Sequence, residues 1–255
     1  MIGSLVIGAI VQARMTSSRL PGKVLMEIQG RPVIDYLYER LSFCPRLEII
    51  VLATTTNRED DPLIDYIKKK RLPFFRGSEH DVLDRYYRAA LKFGITHIMR
   101  ITADCPLIDP EICDHLIETY LNKQMDYVVT GSTYAEGLDC EVFSFKALEM
   151  VWKEARLKSE REHVTQFFHN HPEVFKMGIL PNKTDDSKYR FTIDEEVDFV
   201  LVKTILVEFC RQGKSYFTTE EIKNFLDAHP DIYQLNAHII RNEGIKKSLK
   251  EDHVV

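Results

Sequence analysis

The stretch Val6-Ile-Gly-Ala-Ile-Val-Gln-Ala-Arg14, continued by Met-Thr-Ser-Ser-Arg19-Leu-Pro21-Gly22-Lys23-Val24, decides how the chain is read. An apolar run of strand length stops at Ala13. A polar loop follows that carries Arg14, Arg19 and Lys23, is punctuated by Pro21 and Gly22, and gives way to a second apolar segment at Val24. A buried strand feeding a loop of small residues and cations suits a phosphate. Backbone N–H groups approach the anion closely and the cations neutralise it. The loop contains neither Gly-x4-Gly-Lys-Ser/Thr nor Gly-x-Gly-x-x-Gly, so it is not a Walker A or a dinucleotide fingerprint. A surface loop whose cations are merely solvated is the alternative reading of these residues.

Outward from this loop, the hydrophobic periodicity alternates between strands and helices. Residues 2–13 read as a buried strand. Pro32, suited to a first turn, opens a helix carrying Val33, Ile34, Leu37, Tyr38 and Leu41. A strand over Glu48–Thr54, a helix over Asp60–Lys70, a strand over Pro73–Arg76, a helix over Asp81–Phe93 and a strand over His97–Ile101 follow. The cations Lys68 to Arg71 suit the C-terminal dipole of their helix. This order predicts an α/β fold with a mainly parallel sheet and helices on both faces, and ligands bind at the carboxyl ends of such strands. Beyond it come a helix over Glu111–Asn122, strands over Asp126–Thr130 and Cys140–Ser144, and a small-residue loop over Gly131–Asp139. Helices over Phe145–Ala155 and Glu160–His171 and a strand over Phe175–Leu180 lead to a polar, flexible Pro181–Lys188. A last strand, Arg190–Asp194, precedes helices over Glu196–Cys210 and Thr219–His229, the second with a capping arrangement of Thr218 or Thr219 with Glu221 or Glu220. No repeat or linker divides the chain, so residues 1–240 are expected to form one domain, with a charged, frayed tail over 241–255.

Composition narrows the function. The 255 residues are 44% hydrophobic, enough for a full core, and the net charge of −5 provides no basic field for nucleic acid. The apolar runs fall far short of the roughly 18–20 residues that span a membrane. Five scattered cysteines (Cys44, Cys105, Cys113, Cys140, Cys210) show no Cys-x-x-Cys and no zinc spacing, which predicts reduced thiols in a cytoplasmic protein. Asp104 and Asp194 each follow an apolar strand. Mg²⁺ is held by one or two protein carboxylates plus substrate phosphates, so two strand-end aspartates facing a cationic loop suggest a site for a magnesium–nucleoside triphosphate. A helix N-cap is the alternative for either residue, weakened at Asp104 because Asp109-Pro110 supplies a better cap.

Six blocks in order carry a family resemblance. They are Ala13–Leu25, Arg76–Arg85, Thr102–Asp109, Gly137–Phe145, Glu160-Arg-Glu-His-Val-Thr165 and Arg190-Phe-Thr-Ile-Asp194. Together they resemble the SpsF-type cytidylyltransferases of spore-coat polysaccharide synthesis, relatives of the CMP-Kdo and CMP-sialic acid synthetases. The resemblance implies a Rossmann-like three-layer nucleotidyltransferase of the GT-A type. It implies transfer of CMP from CTP to an acidic, ulosonic-acid-like sugar with release of pyrophosphate, and a homodimer. It assigns Arg14 and Lys23 to the triphosphate, with Asp104 beside them in catalysis, and Asp104 and Asp194 to Mg²⁺. Gln12 and the backbone from Ala9 to Ala13, with the turn Arg76-Gly77-Ser78, would lie against cytidine; Asp139, Glu141 and His163 would face the acceptor. Thr16 stands where Gly is common, and Cys105 sits inside the metal loop. His163 reads either as a base or as a hydrogen-bonded structural histidine, and His80 as polar surface. Two other readings compete: a GT-A glycosyltransferase, whose Asp-x-Asp motif Ala103 interrupts here, and a non-catalytic nucleotide-binding subunit, for which keeping all four of Arg14, Lys23, Asp104 and Asp194 would be unnecessary.

Overall fold

A computed structural model describes residues 5–241 and 252–254 of the chain. β1 (Ile7–Gln12) leads through the cationic loop to a short ribbon, β2 (Glu27–Ile28) and β3 (Arg31–Pro32), and then to α1 (Val33–Ser42). β4 (Ile49–Thr55), α2 (Asp61–Lys69), β5 (Phe74–Gly77), α3 (Val82–Phe93), β6 (His97–Thr102) and α4 (Pro110–Lys123) complete the regular alternation. β7 (Tyr127–Thr130), β8 (Glu141–Ser144), α5 (Phe145–Glu154), the short α6 (Lys158–Glu162) and α7 (Gln166–Asn170), and β9 (Met177–Leu180) follow. The last helices are α8 (Glu196–Arg211), α9 (Thr219–Ala228) and α10 (Pro230–Tyr233).

The sheet has seven strands in the order β5-β4-β1-β6-β8-β7-β9. Only β8 runs against the others, antiparallel to both β6 and β7. β1 lies at the centre, its Gln12 in register with Ala53 of β4 and Thr102 of β6. Alternate residues of a strand face opposite sides. Ala9 and Val11 therefore pack with α1, α2 and α4, while Ile10, Val51 and Ala53 pack with α3 and α5. A third apolar cluster joins Ile28, Phe191 and Ile193 to α8 and α9. Among the described residues no helix is long and apolar enough to cross a membrane.

Three expectations need correction. Arg190–Asp194 is no sheet strand: it makes one isolated bridge with Glu136, and its peptides go elsewhere, Phe191 N to Glu136 O and Ile193 N to Asp104 O. The segment crosses the end of β6 instead of extending the sheet. Gly137 permits that crossing, since it sits at φ +96° and a Cβ there would lie 2.5 Å from Thr192 N. The expected helix over Glu160–His171 is broken between α6 and α7, where Val164 takes φ +42°. Pro181–Lys188 is polar but tied down, because Asp186 accepts from Asn182 and Thr184 and pairs with Lys223. The expected frayed tail lies mostly outside the described residues. Arg241 pairs with Asp139, and Val254 forms an antiparallel bridge with Leu157.

Candidate active site

The cationic loop is held at both ends. Ala13 N donates to Ala53 O, and Met15 N donates to the buried Asp60 carboxylate at 2.7 Å. Asp60 also accepts from the Thr54 and Thr55 hydroxyls and from Thr55 N. Burial alone would raise its pKa, but these donors together hold it below the usual carboxylate value. At the far end Gly22, at φ +73°, donates its N–H to Met15 O and starts a single 3-10 turn over Lys23–Leu25. That turn aims Lys23 inward.

Lys23 Nζ donates to Asp104 Oδ2 (2.8 Å), Asp194 Oδ1 (2.9 Å) and the Ile193 carbonyl (2.6 Å), so its three protons have three acceptors. The residue is 7% exposed. Burial would lower the ammonium pKa, yet the two carboxylates outweigh it and the value is raised. Burial likewise works to raise Asp104, and the charge and hydrogen bond of Lys23 bring it below its ordinary value. The carboxylates meet because Ile193 N donates to Asp104 O at 2.8 Å, setting the crossing segment against the end of β6. Asp194 does not cap α8. Glu195 is the N-cap, and Asp198 completes its capping box by accepting from Asp194 N and Glu195 N, while the Asp194 carboxylate pairs with Lys23, Arg19 (3.1 Å) and Arg190 (3.0 Å).

Two hard oxygen donors thus converge on one cationic point. Among the described residues no group of three Asp, Glu, His or Cys could hold a metal. A divalent ion between Asp104 and Asp194 would take two protein carboxylates and complete its shell with water or phosphate, which is how Mg²⁺ is commonly held.

These groups open into a cleft of about 1350 Å³ at the carboxyl ends of β1 and β6. Gln12, Ala13, Arg14, Lys23, Asp104, Asp194 and His163 all line it. Arg14 is half exposed and 3.5 Å from Glu79. Lys158 and Arg161 also line the cleft, with Arg161 paired to Asp81 at 2.9 Å. Burial, aided by the charge of Arg100, lowers the His163 pKa, which keeps the imidazole neutral near pH 7.

Other residues expected in the site are placed elsewhere. Ala9 is fully buried in mid-strand between β4 and β6. Arg76 donates to the Thr55 and Asn57 carbonyls and pairs with Asp61, which ties β5 to the β4–α2 corner. Gly77 accepts from Thr56 N, and Ser78 Oγ accepts from Asp81 N at the start of α3; neither lines the cleft. Asp139 accepts from Gly137 N and pairs with Arg241. Glu141 is buried beneath the cleft with its carboxylate engaged by Arg100 (2.6 Å), Tyr127 (2.5 Å) and Thr165 (2.8 Å), so the structure does not present it to an acceptor. Burial raises Glu141, and Arg100 with the two hydroxyls more than reverses that.

Asp60 and Arg85 are cleft-building residues that the sequence reading did not single out. Arg85 is 3% exposed on the first turn of α3, lines the cleft, and among the described residues forms no ion pair with a carboxylate. Its sequence signal is a cation interrupting the apolar face Val82, Leu83, Tyr86. Six buried side-chain polar atoms of the described residues lack a hydrogen-bond partner. Three of them, Gln12 Oε1, Arg85 Nε and His163 Nε2, belong to residues that line this cleft. Buried polar groups are nearly always satisfied, so their concentration here points to a ligand.

A central parallel sheet with a cationic loop after its first strand and two aspartates meeting across β6 defines a nucleotidyltransferase of the α/β class. The chain belongs to the cytidylyltransferase family, whose sequence model matches residues 8–246. It is 30% identical over 237 residues to the spore coat polysaccharide biosynthesis protein SpsF of Bacillus subtilis, spanning 87% of this chain and 94% of that one. The structure of a cytidylyltransferase from Leptospira borgpetersenii matches with a TM-score of 0.85 at 34% identity, over 91% of this chain and 98% of the other. A CMP:2-keto-3-deoxy-manno-octonic acid synthetase complexed with CTP shares the fold, with a TM-score of 0.62 at 14% identity over 80% and 99% of the chains. The protein is a CTP-dependent nucleotidyltransferase.

Proposed function

We propose that the chain transfers CMP from CTP to an acidic sugar, releasing pyrophosphate, in the synthesis of a surface polysaccharide, and that it uses Mg²⁺ held by Asp104 and Asp194. The observation that carries this reading is the meeting of both carboxylates on Lys23 Nζ in one cleft that Arg14 also lines. The name of the Bacillus subtilis relative supports the polysaccharide role, and the CMP:2-keto-3-deoxy-manno-octonic acid synthetase supports an acidic acceptor. An acidic acceptor also suits the Lys158 and Arg161 wall.

In the reaction an acceptor oxygen attacks the α-phosphorus of CTP, the bond from that phosphorus to the bridging oxygen of the β-phosphate breaks, and pyrophosphate leaves. Bound between Asp104 and Asp194, Mg²⁺ would supply positive charge beside the reacting phosphate. Lys23 and Arg14 neutralise the charge that grows on the non-bridging and leaving oxygens, which is where preorganised donors act most strongly. His163 is neutral, and its Nε2 lacks a partner, so it is suited to take the acceptor proton. Lys158 and Arg161 orient the acceptor carboxylate. No covalent enzyme intermediate is needed. The homodimer expected from the resemblance is a separate proposal, decided by light scattering.

A pyrophosphate-release screen of four nucleoside triphosphates against a panel of acidic sugars tests the reading. Release with CTP alone, dependent on both acceptor and Mg²⁺, is the expected outcome. Release without any acceptor, or with a neutral hexose only, would contradict it.

A further inference from the structure

Resting on the acidic-acceptor reading, we propose that residues 252–254 build the acceptor end of the cleft, with Asp252 the positioning residue that fixes α6 and so the side chains of Lys158, Arg161 and His163. The family match, over residues 8–246, does not reach this segment. α6 has five residues, far below the roughly 12–15 at which a helix is even marginal on its own, so its place depends on what holds its first turn. Residues 252–254 supply much of that hold. Lys158 N donates to His253 O at 2.8 Å and Ser159 N to Asp252 Oδ1 at 2.9 Å, two of the N–H groups that the start of a helix leaves without an internal acceptor. Ser159 is fully buried, and its hydroxyl donates to Asp252 Oδ2 at 2.6 Å. Leu157 pairs with Val254 in an antiparallel bridge.

These contacts lead into the cleft. His163 N donates to Ser159 O at 2.8 Å, so the residue that Asp252 grips by its N–H and its hydroxyl also accepts from the backbone of His163. Asp252 lies near enough to His163 that its charge offsets part of the lowering that burial imposes on the imidazole pKa. Lys158, Arg161 and His163 line the cleft from this stretch, and His253 lines it from across the bridge. The remaining anchors of α6 are side-chain bonds. Arg161 pairs with Asp81 and donates to Trp152 O, and the Glu160 carboxylate accepts from Arg156 N and Leu157 N. They leave the Lys158 and Ser159 N–H groups to residues 252 and 253. The triphosphate end of the cleft stands on other elements, since Arg14 and Lys23 follow β1 and Asp104 follows β6. Loss of Asp252 is therefore felt at the acceptor sugar and not at the triphosphate.

The test compares the wild type with Asp252→Ala, Asp252→Asn and Ser159→Ala. Pyrophosphate release from Mg-CTP with the panel of acidic sugars gives KM and kcat for the members that react, and calorimetry gives the affinity for Mg-CTP. Asp252→Ala should raise the KM for the sugar, lowering kcat/KM about tenfold or more, the cost of a buried donor left unpaired. Its Mg-CTP affinity should stay within a few-fold of the wild type. Asp252→Asn keeps a carbonyl for Ser159 N and an amide that can donate to the hydroxyl, so it should recover most of the loss. Ser159→Ala removes only the hydroxyl bond and should raise the same KM by less, which decides the matter if Asp252→Ala fails to fold. An unchanged KM for the sugar in both alanine variants, or a matching loss of Mg-CTP affinity, would overturn the inference and leave the acidic-acceptor reading intact. Faster turnover in Asp252→Ala would overturn it too, because the segment would then obstruct the cleft. Absence of release by the wild type with every sugar of the panel would overturn that reading and this inference together.

Discussion

At the scale of single residues, the site turns on whether a carboxylate is free or employed. Asp104 and Asp194 could be recognised in the sequence because each ends an apolar run, where an acid has no packing role. Arg85 left only the faint signal of a cation interrupting the apolar face of its helix. Asp60 could not be recognised, because periodicity reports which face is buried and says nothing of a charge buried on it. Glu141 misleads for the same reason, lying in a block that looks functional while its carboxylate serves Arg100, Tyr127 and Thr165. Lys23 competes with a metal for the same oxygens, and this has a measurable consequence. Lys23→Met should destabilise the fold, and so lower the melting temperature, by at most about 3–5 kcal/mol, the cost of breaking a buried pair, and by less here because both carboxylates keep some solvent contact. Added Mg²⁺ should raise the melting temperature of this variant more than that of the wild type. An equal Mg²⁺ response in the two proteins would remove the competition. His163 yields a pH prediction. Its folded pKa lies below the ordinary 6.5, so the unfolded chain takes up the proton first and stability falls as pH drops below about 6.5. His163→Gln should flatten the melting-temperature profile between pH 7 and pH 5. An unchanged slope would show that the imidazole titrates normally.

At the scale of elements, the first half of the chain was legible and the second half less so. β1, β4 and β6 are adjacent central strands; β1 and β4 read as near-continuous apolar runs, and β6 as one interrupted only by Arg100. The segment Arg190–Asp194 alternates polar and apolar residues as a strand does, but spends its peptide bonds on Glu136 and Asp104, long-range partners that local pattern cannot reveal. The break between α6 and α7 is likewise tertiary. The Thr165 hydroxyl donates to Glu141, and Val164 accepts a left-handed conformation that costs a β-branched residue of order 1–3 kcal/mol. That break sets where His163 lies. Thr165→Val should therefore cut transfer to the acceptor by about tenfold or more while leaving Mg-CTP affinity within a few-fold, as calorimetry beside turnover assays would show. A parallel loss of CTP affinity would mean that this element builds the nucleotide site. On the other side of the cleft, Asp60→Ala leaves the Met15 N–H and the Thr54 and Thr55 donors without their acceptor. It should cost on the order of 1–3 kcal/mol of stability and loosen triphosphate binding through the loop. Intact triphosphate affinity in a destabilised variant would confine Asp60 to the fold.

At the scale of the molecule, the sheet gathers residues distant in sequence at one edge. Lys23 follows β1, Asp104 follows β6, and Asp194 arrives on a segment that crosses the end of β6. The part of the cleft proposed for the acceptor comes from α6 and the residue after it, beyond the regular alternation, where the chain can change without disturbing the central strands. The central claim is that these carboxylates and Lys23 together receive a magnesium-bound triphosphate. Calorimetric titration with CTP, with and without Mg²⁺, on the wild type, Asp104→Asn and Asp194→Asn tests it most directly. The account predicts strong Mg²⁺-dependent binding by the wild type and loss of the Mg²⁺ dependence in both variants, with melting temperatures lowered only modestly. CTP binding by the wild type that ignores Mg²⁺, or a Mg²⁺ dependence that survives in both variants, would contradict it.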